Sequence, residues 1–195
     1  MHQKGGGFKM ADADRASLTA EVARLSAEKA LETGIGHIVV ASNSGKTAME
    51  VLRAAREAFS GKQVPKVVCV THMVGFSADG VDEMEHSVRA ELAKEGIAVL
   101  TTTHLFGGVE RSMSGQHKGI YPLSMVANAL KLFGQGAKVA VEISVMALDS
   151  GLIPHGADVI AIGGSGRGAD TALIIRPAHS IRFFDTKVKG VITLS

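Results

Sequence analysis

Tryptophan is absent, tyrosine and cysteine occur once each, and no apolar run is long. A lone cysteine excludes a disulfide within one chain and a paired-thiol redox motif. Its place in the apolar run Val67–Val70 marks Cys69 as a buried strand thiol. Ser, Lys, Glu or Gly interrupts every hydrophobic stretch before the length of about 20 residues that a helical membrane span needs. The N-terminal MHQKGGGFKMADAD has no apolar signal core, so the sequence reads as cytoplasmic, without a membrane partner. A single-sign charge field is missing too: 21 basic and 19 acidic residues are interspersed, for a formal charge of +2. Such a balance suits a small anion better than a nucleic acid backbone.

What is present is enough apolar residue, 46% of 195 positions, for one real core. The Gly- and Lys-rich residues 1–10 are expected to be a disordered leader, and 11–195 a single domain. Apolar positions recur at helical spacing from Asp14 to Thr33, which predicts an amphipathic helix ending at Gly34. After it, β-branched runs alternate with helical stretches. Strands are expected at His37–Ser42, Lys66–Thr71, Ile97–Thr102, Asp158–Gly163 and Thr171–Arg176. Helices are expected near Lys46–Phe59, Asp82–Glu95, Tyr121–Phe133 and Lys138–Ser150, with Gly45, Gly61, Gly96, Gly136 and Gly151 at the junctions. Nearly continuous apolar strands alternating with helices predict an α/β fold: a three-layer α/β/α arrangement around a mostly parallel sheet. The β-prone Ser180–Ser195 is an edge hairpin or an oligomer contact.

The strongest local signal is His37-Ile-Val-Val-Ala-Ser-Asn-Ser-Gly-Lys-Thr-Ala-Met-Glu, a strand, a polar turn and a helix. That geometry sets the amides of Ser44, Gly45, Lys46 and Thr47 at a helix N-terminus, where unpaired N–H groups and the dipole favour an anion. Ser42, Asn43, Ser44 and Thr47 add polar side chains and Lys46 a compact charge. The competing reading is an ordinary turn with Ser44 as helix cap and Lys46 solvated. A nucleoside triphosphate loop needs a glycine where Val40 stands, so that chemistry is set aside.

The second glycine cluster is Gly163-Gly-Ser-Gly-Arg-Gly-Ala-Asp170. As Gly164, Gly166 and Ala169 it imitates a dinucleotide fingerprint, but the strand-like Thr171-Ala-Leu-Ile-Ile-Arg176 follows where a helix is required. It reads either as a turn between strands or as a loop closing on a ligand. In the second case Ser165 and the amides of Gly164, Gly166 and Gly168 donate, and Arg167 pairs with a phosphate.

With the exit Ile175-Arg-Pro177, these two loops resemble the C-terminal, effector-binding domain of pyruvate kinase, over about Gly36 to Pro177. The resemblance implies a sheet of about five strands with the last antiparallel, two loops that hold phosphates, and no kinase chemistry, since the catalytic barrel is missing. It also leaves a regulatory module responsive to a sugar phosphate as one reading. The added segment from Thr101 to Tyr121 makes the chain more similar to small stand-alone relatives of that domain, and this likeness implies flavin mononucleotide (FMN) as the cofactor. Thr71 and His72 end one strand, and Thr102 and Thr103 the next, at the edge where α/β ligands gather. His104 and Phe106 then flank a planar ring.

Eight histidines do not make a metal site, because no pair has ligand spacing on one helix or a carboxylate companion in a known order. Glu142, alone in the apolar Ala137–Val145, either points into the crevice or sits at a partly exposed helix position. Donors for an anion can be named, whereas a base, its orienting partner and a substrate position cannot be assembled. Binding is therefore expected ahead of catalysis, with an enzyme acting on a phosphorylated metabolite or a flavin-dependent oxidoreductase as the alternative.

Overall fold

A computed structural model describes residues 12–166 and 168–194. The leader 1–10 and Arg167 lie outside the described residues. In chain order the elements are α1 (Asp12–Thr33), β1 (His37–Ala41), α2 (Lys46–Phe59), β2 (Lys66–Val70), α3 (His86–Lys94), β3 (Ala98–Leu100), α4 (Gly108–Gln116), α5 (Pro122–Leu130), α6 (Gln135–Asp149), β4 (Val159–Gly163), β5 (Thr171–Arg176) and β6 (Lys187–Thr193). Short 3-10 turns occupy Lys131–Phe133 and Ser180–Asp185.

The sheet has six strands in the order β3-β2-β1-β4-β5-β6. The first four lie parallel to their neighbours, while β5 pairs antiparallel with both β4 and β6. The α/β class and the mostly parallel sheet are as expected, and the β-prone tail supplies the sixth strand, at the edge beside β5.

Period-two burial divides the sheet between two helical layers. Ile38, Val40, Val67, Cys69, Ile160 and Ile162 face α1, α2 and α3, where Val22, Ala27, Val51, Ala55 and Leu92 are buried. Val39, Val68, Val70 and Val159 face the other way, onto Ile143, Met146 and Ala147 of α6. Strands buried on both faces have no polar side to alternate with, which is why they read as continuous apolar runs.

Local chemistry moved several boundaries. The third helix begins at His86 instead of Asp82: Asp82 lies in the preceding turn, where it accepts from Met84 N at 3.0 Å. The added segment contains α4, which its sequence did not announce. Gly136 is no junction residue: it is buried in the first turn of α6, where a Cβ would collide with Asp170 and Thr171. A second bare backbone, Gly163, faces it across the contact, so α6 crosses the end of β4 at a distance no side chain permits.

Candidate functional site

From β1 the chain runs outward to β2 and β3, then returns through α6 to β4 on the other side of β1. The carboxyl ends of β1 and β4 therefore flank the point where strand order reverses, the place at which open α/β sheets bind ligands. A cleft of about 1550 Å³ opens there. Ser42, Asn43, Ser44, Lys46 and Thr47 form one wall, Gly164, Gly166 and Gly168 another, and Thr71, His72, His104 and Phe106 also line it.

The front loop enters α2 through Gly45 in the left-handed region, φ +74°, and no side chain caps the helix. This removes the reading in which Ser44 caps α2, and leaves its first turn without a side-chain cap, with Lys46 and Thr47 lining the cleft. A Cβ at Gly45 would strike Val88, so the turn is closed to larger residues. Lys46 is exposed, and the buried Ser42 hydroxyl at the cleft floor has no hydrogen-bond partner among the described residues.

The back loop joins β4 to β5 and is more constrained than its glycines suggest. Asp170 accepts from Ser165 N at 2.9 Å and Ser165 Oγ at 2.7 Å, so Ser165 is engaged inside the loop. Ala169 N donates to Thr19 Oγ1 of α1 at 2.9 Å, and Arg15 donates to the Ser165 carbonyl at 3.4 Å. Helix α1 is thus a wall of the site, lining it with Arg15, Ala16, Thr19 and Ala20. Nothing in the amphipathic pattern of α1 distinguishes Thr19 from any other cap-helix polar residue.

Beside the front loop, at the end of β2, lies an aromatic patch. The His72 ring lies 3.9 Å from that of Phe76 and 5.3 Å from that of His104, centroid to centroid, and the Arg111 guanidinium sits 5.2 Å from the centre of Phe76. His72 N donates to Asn43 Oδ1 at 2.8 Å, and His72 Nδ1 lies 2.6 Å from Glu83 Oε2. Phe76 and Glu83, both cleft residues, were not singled out in the sequence, because the β2–α3 loop that carries them has no motif. Phe106 reaches the cleft but is buried, with its ring edge-on to Phe183 at 5.3 Å. Thr102 and Thr103 are exposed and do not line the cleft.

Glu142 resolves toward the crevice. It is buried in the cleft wall, paired with Lys138, and accepts from Phe106 N at 2.9 Å. This anchors the start of the added segment to α6. Burial holds the His104 imidazole below its ordinary pKa against the attraction of Glu142, and the nearby His72, Lys138 and Arg111 lower it further. Burial pushes the Cys69 thiol up to about 12, so it stays protonated, donating to the Ser42 carbonyl at 3.3 Å.

The cleft and its sheet define a ligand-binding α/β domain. The family model for the pyruvate kinase α/β domain matches residues 20–175, most of the chain, and the protein belongs to that family. Among solved structures it is similar to pyruvate kinase from Cryptosporidium parvum, at 16% identity over 81% of this chain and 22% of that one, TM-score 0.38. The same organism's enzyme in complex with ADP gives 16% identity over 86% of this chain and 24% of that one, TM-score 0.40. The chain thus spans less than a quarter of the length of those enzymes. Among the described residues, no helix is long and apolar enough to cross a membrane.

Proposed function

We propose that the protein binds a phosphorylated small molecule in this cleft, with FMN as the ligand of choice. The observation that carries the reading is the uncapped N-terminus of α2, with Lys46 beside it, opening into the same cleft as the His72–Phe76–His104 patch. Open amides, the helix dipole and a lysine suit a phosphate, and the patch offers aromatic contacts to a planar ring. Phe76 and His104 are the ring contacts in this reading, while Phe106 is buried against Phe183.

The absorbance spectrum of the gently purified protein, followed by calorimetry with FMN and riboflavin, tests it. FMN should bind much more tightly than riboflavin, because riboflavin forfeits every phosphate contact. Equal affinities, or no binding of FMN, would remove the flavin reading.

One observation favours a catalytic alternative: the short His72–Glu83 contact in a ligand-sized cleft is how a carboxylate orients an imidazole for acid–base work on a phosphorylated metabolite. Turnover of such a metabolite that disappears in Glu83→Gln would establish it.

A further inference from the structure

The carboxylates of the cleft are all answered by neighbours. Glu50 accepts from Arg53, Glu83 faces His72, and Glu142 is held by Lys138 and the Phe106 amide. Glu110, which precedes Arg111, is taken up by the N-terminus of α5, accepting from Leu123 N at 3.1 Å and Ser124 N at 2.7 Å. The cations of the far wall are not matched in the same way. Among the described residues neither Arg111 nor Lys131 has an ion-pair partner: Arg111 lies over the Phe76 ring, and Lys131 reaches Asn128 Oδ1 at 3.4 Å. Both line the cleft, with Ser114, Asn128 and Gln135 beside them.

We propose that Arg111 and Lys131 form a second anion subsite, on the α4–α5 wall and separate from the N-terminus of α2, that takes a carboxylate or phosphate group. The proposal rests on the reading of the cleft as a ligand site and extends it: besides the phosphate at α2, the cleft binds a second anion beside the ring patch that Arg111 touches. Space permits this, since about 1550 Å³ exceeds the roughly 300–1,000 Å³ of common small-molecule sites. Arg111 is close enough to the cleft for His104 to feel its charge, although burial, the opposing Glu142, His72 and Lys138 of α6 all act on that imidazole more strongly. Because FMN carries a single anionic group, its phosphate, the second anion is a separate acidic molecule beside it.

Sulfate serves as the probe, titrated into the isotopically labelled protein at constant ionic strength while amide and arginine side-chain resonances are followed. The parent should show two saturable responses, one at Ser44–Ala48 and one at Arg111–Ser114 with Lys131. Arg111→Gln/Lys131→Gln should weaken the second by about tenfold or more, as expected for lost charge-assisted contacts, and leave the first. Lys46→Ala should do the reverse. Both changed far-wall residues are exposed, so the fold is retained, which a thermal melt verifies. No saturable far-wall response in the parent, or one that persists in the double variant, overturns the subsite. A far-wall response without one at α2 keeps the subsite and defeats the phosphate reading instead. In protein loaded with FMN, continued sulfate binding at the far wall supports a separate acidic molecule, and its loss shows that the flavin itself covers the far wall and overturns the subsite.

Discussion

Asn43 anchors the His72 backbone: its Oδ1 accepts from the His72 amide at 2.8 Å, beside the Nδ1 that faces Glu83 Oε2 at 2.6 Å. The front loop and the aromatic patch are therefore joined across the ends of β1 and β2. Asn43→Ala should leave the half-buried His72 amide without its partner, at a cost of about 1–3 kcal/mol. A lower melting temperature together with weaker FMN binding is expected. Unchanged melting would show that the two loops are held together by something else.

Lys46 separates binding from stability. It is exposed and has no ion pair among the described residues, so Lys46→Ala should melt as the parent does. Loss of a charge-assisted phosphate contact worth about 1.5–3 kcal/mol should lower FMN affinity at least about tenfold. Calorimetry on both proteins decides, and equal affinity would exclude the front loop as the phosphate site.

The two phenylalanines should behave oppositely. Phe106 is buried against Phe183, with Lys138 Nζ 5.3 Å from its ring centre. Phe106→Ala should therefore cost about 3–5 kcal/mol of stability. Phe76 is only half-buried and lies on the cleft, so Phe76→Ala should cost less stability and weaken FMN without changing the binding of inorganic phosphate. Denaturant melts and paired titrations of the two variants test the contrast.

The contrast also marks what could be read in advance. Strand and helix alternation was legible because β1, β2 and β4 are buried on both faces, and the front loop was legible because its chemistry is contiguous from Ser42 to Thr47. Contacts made by distant segments were not. Thr19 meets Ala169 across 150 positions, and Phe106 meets Glu142 across 36. Nothing local in either member announces the partner. Phe76 was hidden for a related reason: its loop has no regular period, and its value comes only from standing beside His72 and His104. Phe106 was singled out as an aromatic near a strand end, a description that does not distinguish a cleft ring from a core ring.

Gly136 and Gly166 test the backbone. At Gly136 any Cβ meets Asp170 and Thr171, so Gly136→Ala should separate α6 from β4 and destabilise the fold strongly. At Gly166 nothing stands within 4 Å, but φ is +89°. Gly166→Val should therefore cost about 1–3 kcal/mol of backbone strain, with the core intact. Because the variant loop must leave that conformation or carry the strain, ligand binding should weaken as well. A Gly166→Val protein that melts and binds like the parent would show that the back loop tolerates other conformations.

His104 should make the protein acid-sensitive. Its folded pKa lies below 6.5, with burial the leading cause, while the unfolded chain titrates at the ordinary value of 6.5. Between these two pH values the unfolded state holds the extra proton, so stability rises with pH there and is lost as pH falls through the window. The groups facing His104 oppose one another: Glu142 favours its charged form, while His72, Lys138 and Arg111 disfavour it. His37 contributes with the same sign, lowered by burial and by Lys66. Asp82, Asp149 and Asp158, all lowered, act at more acidic pH, because their ordinary value is 3.8. Melting temperatures measured from pH 7.5 to 5 should fall in the parent and fall less in His104→Asn, with the remaining slope reduced again when His37→Asn is added. Removing Glu142 would mix this effect with loss of the Phe106 amide contact, so the histidines are the appropriate sites. If His104→Asn reproduces the parent's slope, the imidazole titrates in the folded protein as it does in the unfolded chain, and burial in the cleft wall does not control its charge.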